Sequence, residues 1–215
     1  MYNISKVLKS TLAITAFSVS LVSANVFAAP GKPGAPGKPG VNPVAPGGNI
    51  VEVALAANSL LGEFDYLLGA VNCLTDAEGN NPVVNLLTGS DKYTLFAPND
   101  AAFEALQGAL GIETPEPSLT CGVDSIFGAG TLFTILAYHV TDGRRFSHSV
   151  FNMNNNKEIE MLAGGYITST PSLSLIDGVP QVINPDPSLI DINASNGVVH
   201  VIDTVMLPFN PFAGD

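Results

Sequence analysis

The sequence is poor in basic residues and lacks the short motifs that mark many enzyme families. Its 215 residues include no tryptophan, three histidines, two cysteines, and eight Lys and Arg against 19 Asp and Glu. Because phosphate groups are bound by clustered Lys and Arg, this deficit argues against nucleic acid and anionic lipid as partners. The chain has no G-x-S-x-G turn, H-E-x-x-H motif, phosphate-binding loop or dense D-x-D-x-D-G calcium loop. We therefore expect no metal ion, no cofactor and no catalytic residue.

Residues 1–28 have the three parts of a secretory signal peptide. Lys6 and Lys9 precede an apolar, small-residue run at positions 10–24, and small or apolar residues follow up to Ala28. The run is shorter than the ~20 residues that span a bilayer, so a signal peptide cleaved after Ala28 is preferred over a membrane anchor. Removing it leaves six basic and 19 acidic residues, a net charge of −13. We expect the mature protein to be secreted, extracellular or periplasmic, without membrane insertion.

Residues 29–48 are dominated by proline and glycine, with a glycine at every third position from 31 to 40. This composition buries little surface and favours extended polyproline conformations. We interpret the segment as a linker, and we expect the globular domain to occupy residues 49–215. A domain of about 165 residues is long enough for one hydrophobic core.

Cys73 and Cys121 are the two cysteines of the chain. In an oxidising compartment an even pair predicts a disulfide bond. Their wide separation lacks the spacing of a zinc site. Two free thiols are the alternative.

Helical periodicity dominates the first half of the expected domain, and short strands dominate the second. Apolar residues at three- and four-residue spacing predict a helical stretch over 50–71. Further helices are expected at 82–88, 101–110 and 132–140, the last running into a strand, whereas 111–130 is expected to be a loop-rich insertion. Segregated helices and strands favour an α+β fold over alternating α/β. The expected strands, several of them separated by turn dipeptides such as Asn-Gly and Asp-Gly, are 93–97, 158–162, 166–169, 173–176, 179–183, 191–194 and 198–207.

The histidines bear on whether a hydrolase is a serious alternative. His200 lies in an apolar strand, where we expect it to satisfy a backbone group inside the fold. His148 lies among Ser147, Ser149 and two arginines, and we expect it at the surface. A hydrolase would need a serine, a histidine and an acid brought together from distant segments, with perturbed protonation.

Four segments resemble those of fasciclin domains, in the same order and with similar spacing. The resemblance covers about residues 49–208, with departures in the loop at 73–81 and the insertion at 115–122. The four segments are YTLFAPNDAAF at 93–103, the pair Tyr138-His139, LAGG at 162–165, and NGVVHVID at 196–203 with its continuation to Leu207-Pro208.

The resemblance implies a wedge of about seven β-strands in two sheets, with several helices packed on one side. It also implies a non-enzymatic adhesion or matrix module, whose partner is a surface or matrix protein or a polysaccharide. In this family the Tyr-His pair has been tied to core packing and to partner binding, and apolar neighbours favour packing for Tyr138 and His139. An Asp-Ile dipeptide is an adhesion motif in some animal members, so Asp191 and Ile192 complete the set of candidate partner-binding residues. A place at the start of a strand is the alternative for Asp191.

A soluble carrier of a small ligand, extracellular or periplasmic, is the alternative function. It predicts an enclosed pocket of roughly 300 Å³ or more between the helices and the sheet. An adhesion module instead predicts an exposed apolar or mixed patch of a few hundred Å².

Overall fold

The computed structural model describes residues 47–151, 155–179 and 181–211, which lie in the unit Lys38–Asp215. The expected signal peptide and nearly all of the expected linker lie outside the described residues. The α-helices are α1 (Ile50–Leu61), α2 (Asp65–Asn72), α3 (Pro82–Thr88), α4 (Asp100–Ala109), α5 (Val123–Phe127), α6 (Thr131–Ala137) and α7 (Ser147–Val150). The strands are β1 (Tyr93–Pro98), β2 (Val140–Asp142), β3 (Lys157–Glu160), β4 (Tyr166–Ser169), β5 (Leu175–Ile176), β6 (Val182–Ile183), β7 (Ile192–Ala194) and β8 (Gly197–Ile202).

The first predicted helical stretch is divided into two helices. α1 begins with a capping box, in which the Asn49 side chain accepts from the Glu52 N–H and the Glu52 carboxylate accepts from the Asn49 N–H. It ends at Gly62, whose φ of 66° lies in the left-handed region that favours glycine. The Asn58 side chain then accepts a hydrogen bond from the Phe64 N–H and fixes the turn into α2. Periodicity alone misses this break because the apolar spacing continues across it.

The first sheet is mixed and has the strand order β2-β1-β8-β7. Its central strands β1 and β8 run parallel from the pair Tyr93↔Gly197 onward, and the outer strands are antiparallel to them. Both central strands are buried along their whole length, as expected for β8. β8 ends at Ile202, short of the predicted strand end, because the Asp203 carboxylate binds the backbone and side-chain amides of Asn184.

The second sheet is an antiparallel meander in the order β3-β4-β5-β6. Strands β5 and β6 have two residues each, shorter than predicted, and they bring the described strands to eight rather than about seven. The α+β class and the two-sheet architecture are confirmed.

Two hydrophobic cores lie on opposite faces of the first sheet. Along β1, Leu95 and Ala97 pack with the helices, whereas Phe96 packs with the second sheet. β8 alternates in the same way between Val201 and Ile202. This two-residue period follows from the pleat of a strand. The helical layer therefore covers one face of the first sheet, and the second sheet covers the other.

The predicted insertion holds more regular structure than expected. A 3₁₀ helix, Pro117–Gly122, runs directly into α5. Within it Cys121 forms a disulfide bond with Cys73 at the end of α2, which confirms the predicted pairing. The Gln107 side chain of α4 also donates to the Glu116 carbonyl and accepts from its N–H. The insertion is thus fastened to two helices.

Candidate partner-binding site

The segment between β1 and α4 uses its polar side chains to cap helices. The Asn99 side chain accepts from the Ala102 N–H at 3.0 Å and caps α4. The Asp100 carboxylate instead accepts from the Tyr66 N–H at 3.0 Å, in the first turn of the neighbouring helix α2. The first family-like segment therefore has a structural role, and its aspartate joins two helices.

Tyr138 and His139 lie inside the protein, each only 1% exposed. The Tyr138 hydroxyl donates to the Tyr166 carbonyl at 2.9 Å and accepts from the Gly178 N–H at 3.2 Å. Burial raises the pKa of this hydroxyl. The side chain thus ties the end of α6 to strand β4 and to the loop between β5 and β6.

The His139 ring is bonded at both nitrogens. Its Nδ1–H donates to the Ile135 carbonyl at 2.8 Å, and its Nε2 accepts from the Met206 N–H at 2.9 Å. Because Met206 supplies a donor, Nε2 must carry a lone pair, which fixes the neutral tautomer. Burial lowers the pKa of His139 to about 4, against a smaller opposing effect of the Ile135 hydrogen bond. His139 is therefore a neutral structural residue at pH 7.

His200 is also buried and bonded at both nitrogens. Its Nε2–H donates to the Arg145 carbonyl at 2.8 Å, and its Nδ1 accepts from the Asp191 N–H at 3.2 Å. This confirms that the side chain satisfies backbone groups inside the fold. Burial lowers the pKa of His200, and the Arg145 hydrogen bond and the Asp191 charge oppose that effect.

Asp191 holds the start of α7. Its φ of 59° is left-handed, and its carboxylate accepts from the backbone N–H and the hydroxyl of Ser147, both at 2.6 Å. Its side chain is 27% exposed. The next residue, Ile192, is only 2% exposed and packs in the core between the helices and the first sheet.

Burial argues against three of the four candidate partner-binding residues. Tyr138, His139 and Ile192 have no surface that a partner can touch in this conformation, which agrees with the packing interpretation of the Tyr-His pair. Asp191 is accessible, but its carboxylate already caps α7.

Ser147, Asp191 and His200 come together, but in the wrong order for a catalytic triad. A triad needs histidine between the serine and the acid, so that the ring takes the serine proton. Here the Asp191 carboxylate accepts the Ser147 hydroxyl directly, and both ring nitrogens of His200 are occupied by backbone groups. The geometry therefore leaves Ser147 without a histidine to take its proton.

A groove of about 460 Å³ opens beside α7, between the loop before β5 and the segment that leads from β6 to β7. Among the residues that the structure describes, its lining contains no Asp, Glu, Lys or Arg, although the chain has 19 acidic residues. His148, exposed as predicted, lies on its rim. The lining residues are Ser147, His148, Phe151, Ser172, Leu173, Asn184, Pro185, Pro187 and Ile190.

Two residues beside this groove have unusual backbone conformations. Leu173 and Asp191 are the non-glycine residues with positive φ in the described part of the chain. Leu173 has a φ of 63°, lies on the groove wall and is 45% exposed. A left-handed residue other than glycine costs roughly 1–2 kcal/mol, and such strain concentrates at functional sites. Sequence reasoning missed this site because its walls come from three separate segments.

The cavity between the helices and the first sheet is much smaller, about 40 Å³. It is lined almost wholly by apolar side chains, with His139 at its edge. Small-molecule sites typically need 300 Å³ or more. The enclosed pocket expected of a carrier is therefore not found at this position.

The described residues contain no group of three or more His, Cys, Asp or Glu side chains arranged to hold a metal ion. In the same residues, no single helix has the length and apolar composition needed to cross a membrane. A bent helix pair, Pro117–Phe127 and Thr131–Ala137, passes that test by length and composition only.

Comparisons with known proteins find the same family that the four segments resemble. The sequence model of the Fasciclin domain matches residues 70–208. The chain is 32% identical over 161 residues to protein sll1483 of Synechocystis, covering 74% of this chain and 73% of that protein. It is 30% identical over 131 residues to the immunogenic protein MPB70 of Mycobacterium bovis, covering 60% and 57%.

Among solved structures, the chain is similar to a FAS1 domain pair from the insect cell adhesion molecule Fasciclin I. The TM-score is 0.49 at 13% identity, covering 74% of this chain. The match spans about half, 51%, of the domain pair.

Proposed function

Because the chain belongs to the fasciclin domain family, we propose that it is a secreted, non-catalytic protein that mediates adhesion to a cell surface or extracellular matrix. The family is known for adhesion-related roles. The Cys73–Cys121 disulfide suits an oxidising compartment, extracellular or periplasmic. The signal-like residues 1–28 provide a route to it.

The observation that carries the proposal is the uncharged groove beside α7. Its volume of about 460 Å³ lies in the range of binding clefts. An acidic partner segment would lose hydration there without gaining a counter-charge from the lining, which disfavours it. It would also meet the carboxylates of Asp191 and Asp203, which accept hydrogen bonds from residues of the groove wall. Although this protein is acidic, the groove on its surface therefore suits a partner segment without acidic side chains.

The apolar side chains of the groove favour a protein segment over a polysaccharide. Leu173 and Ile190 offer carbon surface that matches apolar side chains. The strained Leu173 supports this, since glycine would relieve the backbone but would remove the contact. We assign the partner as an uncharged, apolar segment of a surface or matrix protein.

One groove of this size gives weak binding, so adhesion would depend on many copies at one surface. Linking copies raises the effective concentration of each further contact and multiplies the overall affinity. A proline-rich linker at residues 29–48 would give each domain reach.

The test compares two leucine variants on beads that display many copies of the mature chain. Leu173→Gly should lower retention on envelope or matrix preparations from the source organism at least about tenfold. Its unfolding free energy should stay within about 1 kcal/mol of the parent chain, because relief of the positive φ offsets the entropy of glycine. The control is Leu60→Ser, which alters a 62% exposed side chain on α1 and should bind normally.

Pretreatment of the target preparation identifies the partner. Loss of retention after protease treatment supports a protein partner. Loss only after glycosidase treatment, or equal retention of the Leu173→Gly and Leu60→Ser variants, contradicts the assignment of the groove.

A further inference from the structure

His200, Asp191 and Ser147 form a chain of hydrogen bonds that links a buried ring to the groove wall. The His200 Nδ1 accepts from the Asp191 N–H at 3.2 Å, so this nitrogen carries a lone pair. The Asp191 Oδ1 accepts from the Ser147 N–H at 2.6 Å and lies 4.0 Å from the same His200 Nδ1. One carboxylate oxygen therefore has two possible partners.

We propose that these three residues form a proton-controlled latch, which holds α7 at the groove when His200 is neutral and releases it when His200 is protonated. The consequence for partner binding rests on the proposed function of the groove. The latch itself does not depend on any partner.

The switch follows from the change at one nitrogen. A proton taken from solvent onto Nδ1 turns this atom from an acceptor into a donor that faces the Asp191 N–H. Two donors then oppose each other, and the bond of 3.2 Å is lost. The Asp191 Oδ1 need move only about 1 Å to accept the new Nδ1–H at normal hydrogen-bond length. In doing so it leaves the Ser147 N–H without its acceptor.

α7 depends on this cap because it is short. It spans four residues, Ser147–Val150. Its N-cap residue, Phe146, makes no side-chain hydrogen bond that caps the helix. An isolated turn of helix is unstable without tertiary or capping bonds. The end of α7 has other anchors, since Val150 and Phe151 are buried and Lys157 donates to the Ser149 carbonyl. Loss of the Asp191 cap therefore loosens the first turn, where Ser147 and His148 line the groove.

Among the described residues, Asp191 is the charged side chain that lies within salt-bridge distance of His200. From β1 the Phe96 ring stacks on the imidazole, and Phe151, just after α7, meets it edge-on. The segment before α7 contributes the Arg145 carbonyl, while the Arg145 guanidinium donates instead to the Asp142 carbonyl. On α7 itself, His148 stacks on Phe146 at the surface and is the other titratable side chain.

The pH direction follows from burial. Burial lowers the pKa of His200 below its ordinary value of 6.5, so the ring is neutral and the latch closed at pH 7. As the pH falls below that value, protonation becomes progressively favourable and the latch opens. The strained φ of 59° at Asp191 is part of the closed state and is free to relax in the open one.

Hydrogen exchange of the mature chain tests the latch between pH 7.5 and 4.5, after correction for intrinsic exchange. We expect protection of the amides at 147–151 to fall about tenfold or more relative to amides of β1. In Asp191→Asn the side-chain oxygen still accepts from Ser147, and asparagine tolerates the left-handed backbone. Because it carries no charge to attract protonated His200, the loss of α7 protection on acidification should be clearly smaller than in the parent chain.

His148→Gln is the matched control, since it removes the exposed histidine of α7 and should leave the wild-type response unchanged. Three results would overturn the latch: constant protection of α7, an equal loss in the Asp191→Asn variant, or a loss shared by β1. If α7 opens as expected but the beads described above do not bind, only the proposed role of the groove fails.

Discussion

The buried His139 should make the fold lose stability in acid by a definite amount. One pKa unit corresponds to about 1.4 kcal/mol, so a fall in pKa from 6.5 to about 4 represents about 3 kcal/mol. The folded pKa lies below the unfolded one, so this stability is fully present above pH 6.5 and is lost as the pH falls towards 4. By linkage the loss is about 2.5 kcal/mol at pH 4.5 relative to pH 7.5.

Other buried groups change the total but not the contribution of His139. His200 acts in the same direction, because burial lowers its pKa too. Asp177 acts in the opposite direction, because burial raises its pKa and the folded state then gains protons more readily than the unfolded chain. The comparison must therefore be made between variants at each pH.

Urea unfolding at pH 7.5, 6.5, 5.5 and 4.5 measures the effect. In His139→Asn the amide can still donate to the Ile135 carbonyl, but the Met206 N–H loses its acceptor, at a cost of about 1–3 kcal/mol at all pH values. The pH dependence of this variant should be smaller by about 2.5 kcal/mol over the range. The control is His148→Asn at the surface, whose unfolding free energy should change with pH as in the parent chain. The reasoning would be refuted if the unfolding free energy of the His139 variant changed with pH as much as that of the parent chain. It would also be refuted if the His139 ring resonance titrated near pH 6.5.

Two further predictions concern the scaffold. Reduction of Cys73–Cys121 should lower the unfolding free energy by about 4 kcal/mol in the chain-entropy model for a separation of 48 residues, measured by thermal unfolding with and without reductant. A Cys73→Ser, Cys121→Ser variant should show no further loss on reduction, and an unchanged wild-type melt would mean that the bond contributes nothing. Gly197→Ala should destabilise by about 3 kcal/mol or prevent folding, because the new Cβ would lie 2.2 Å from the Tyr93 carbonyl oxygen and 2.5 Å from Ile50 Cδ1. Gly108→Ala, where a Cβ meets nothing within 4 Å on the exposed face of α4, should instead stabilise by up to about 1 kcal/mol, and equal melting temperatures for the two variants would contradict this account.

Local signals predicted the elements that local interactions build. Asn99 caps α4 through such a local bond, since its side chain reaches an amide only three residues ahead. The short helix at 82–88 and the strand at 93–97 followed from apolar patterns and turn residues, and both are found. The disulfide followed from the even cysteine count.

Long-range hydrogen bonds decided what local signals missed. Asp100 caps a helix that begins 35 residues earlier, and Asp191 caps one that begins 44 residues earlier. No spacing in the sequence marks either pairing. The groove was missed for the same reason, because a concave surface exists only after three segments meet.

Four of the buried polar side chains share one property that separates a scaffold from a reactive site. The Asp177 carboxylate accepts from the amides of Val179, Gln181 and Leu207, and the Asn196 amide bonds Ile50, Leu87 and Gly89. Like the two buried histidines, each of these groups has its hydrogen-bonding capacity taken up by backbone or amide partners that fix loops to strands. A catalytic base must instead keep a lone pair free for a substrate proton. At His200 the same saturation has a second effect: adding one proton must break an existing bond, so the ring that stabilises the fold at pH 7 also makes α7 sensitive to acid.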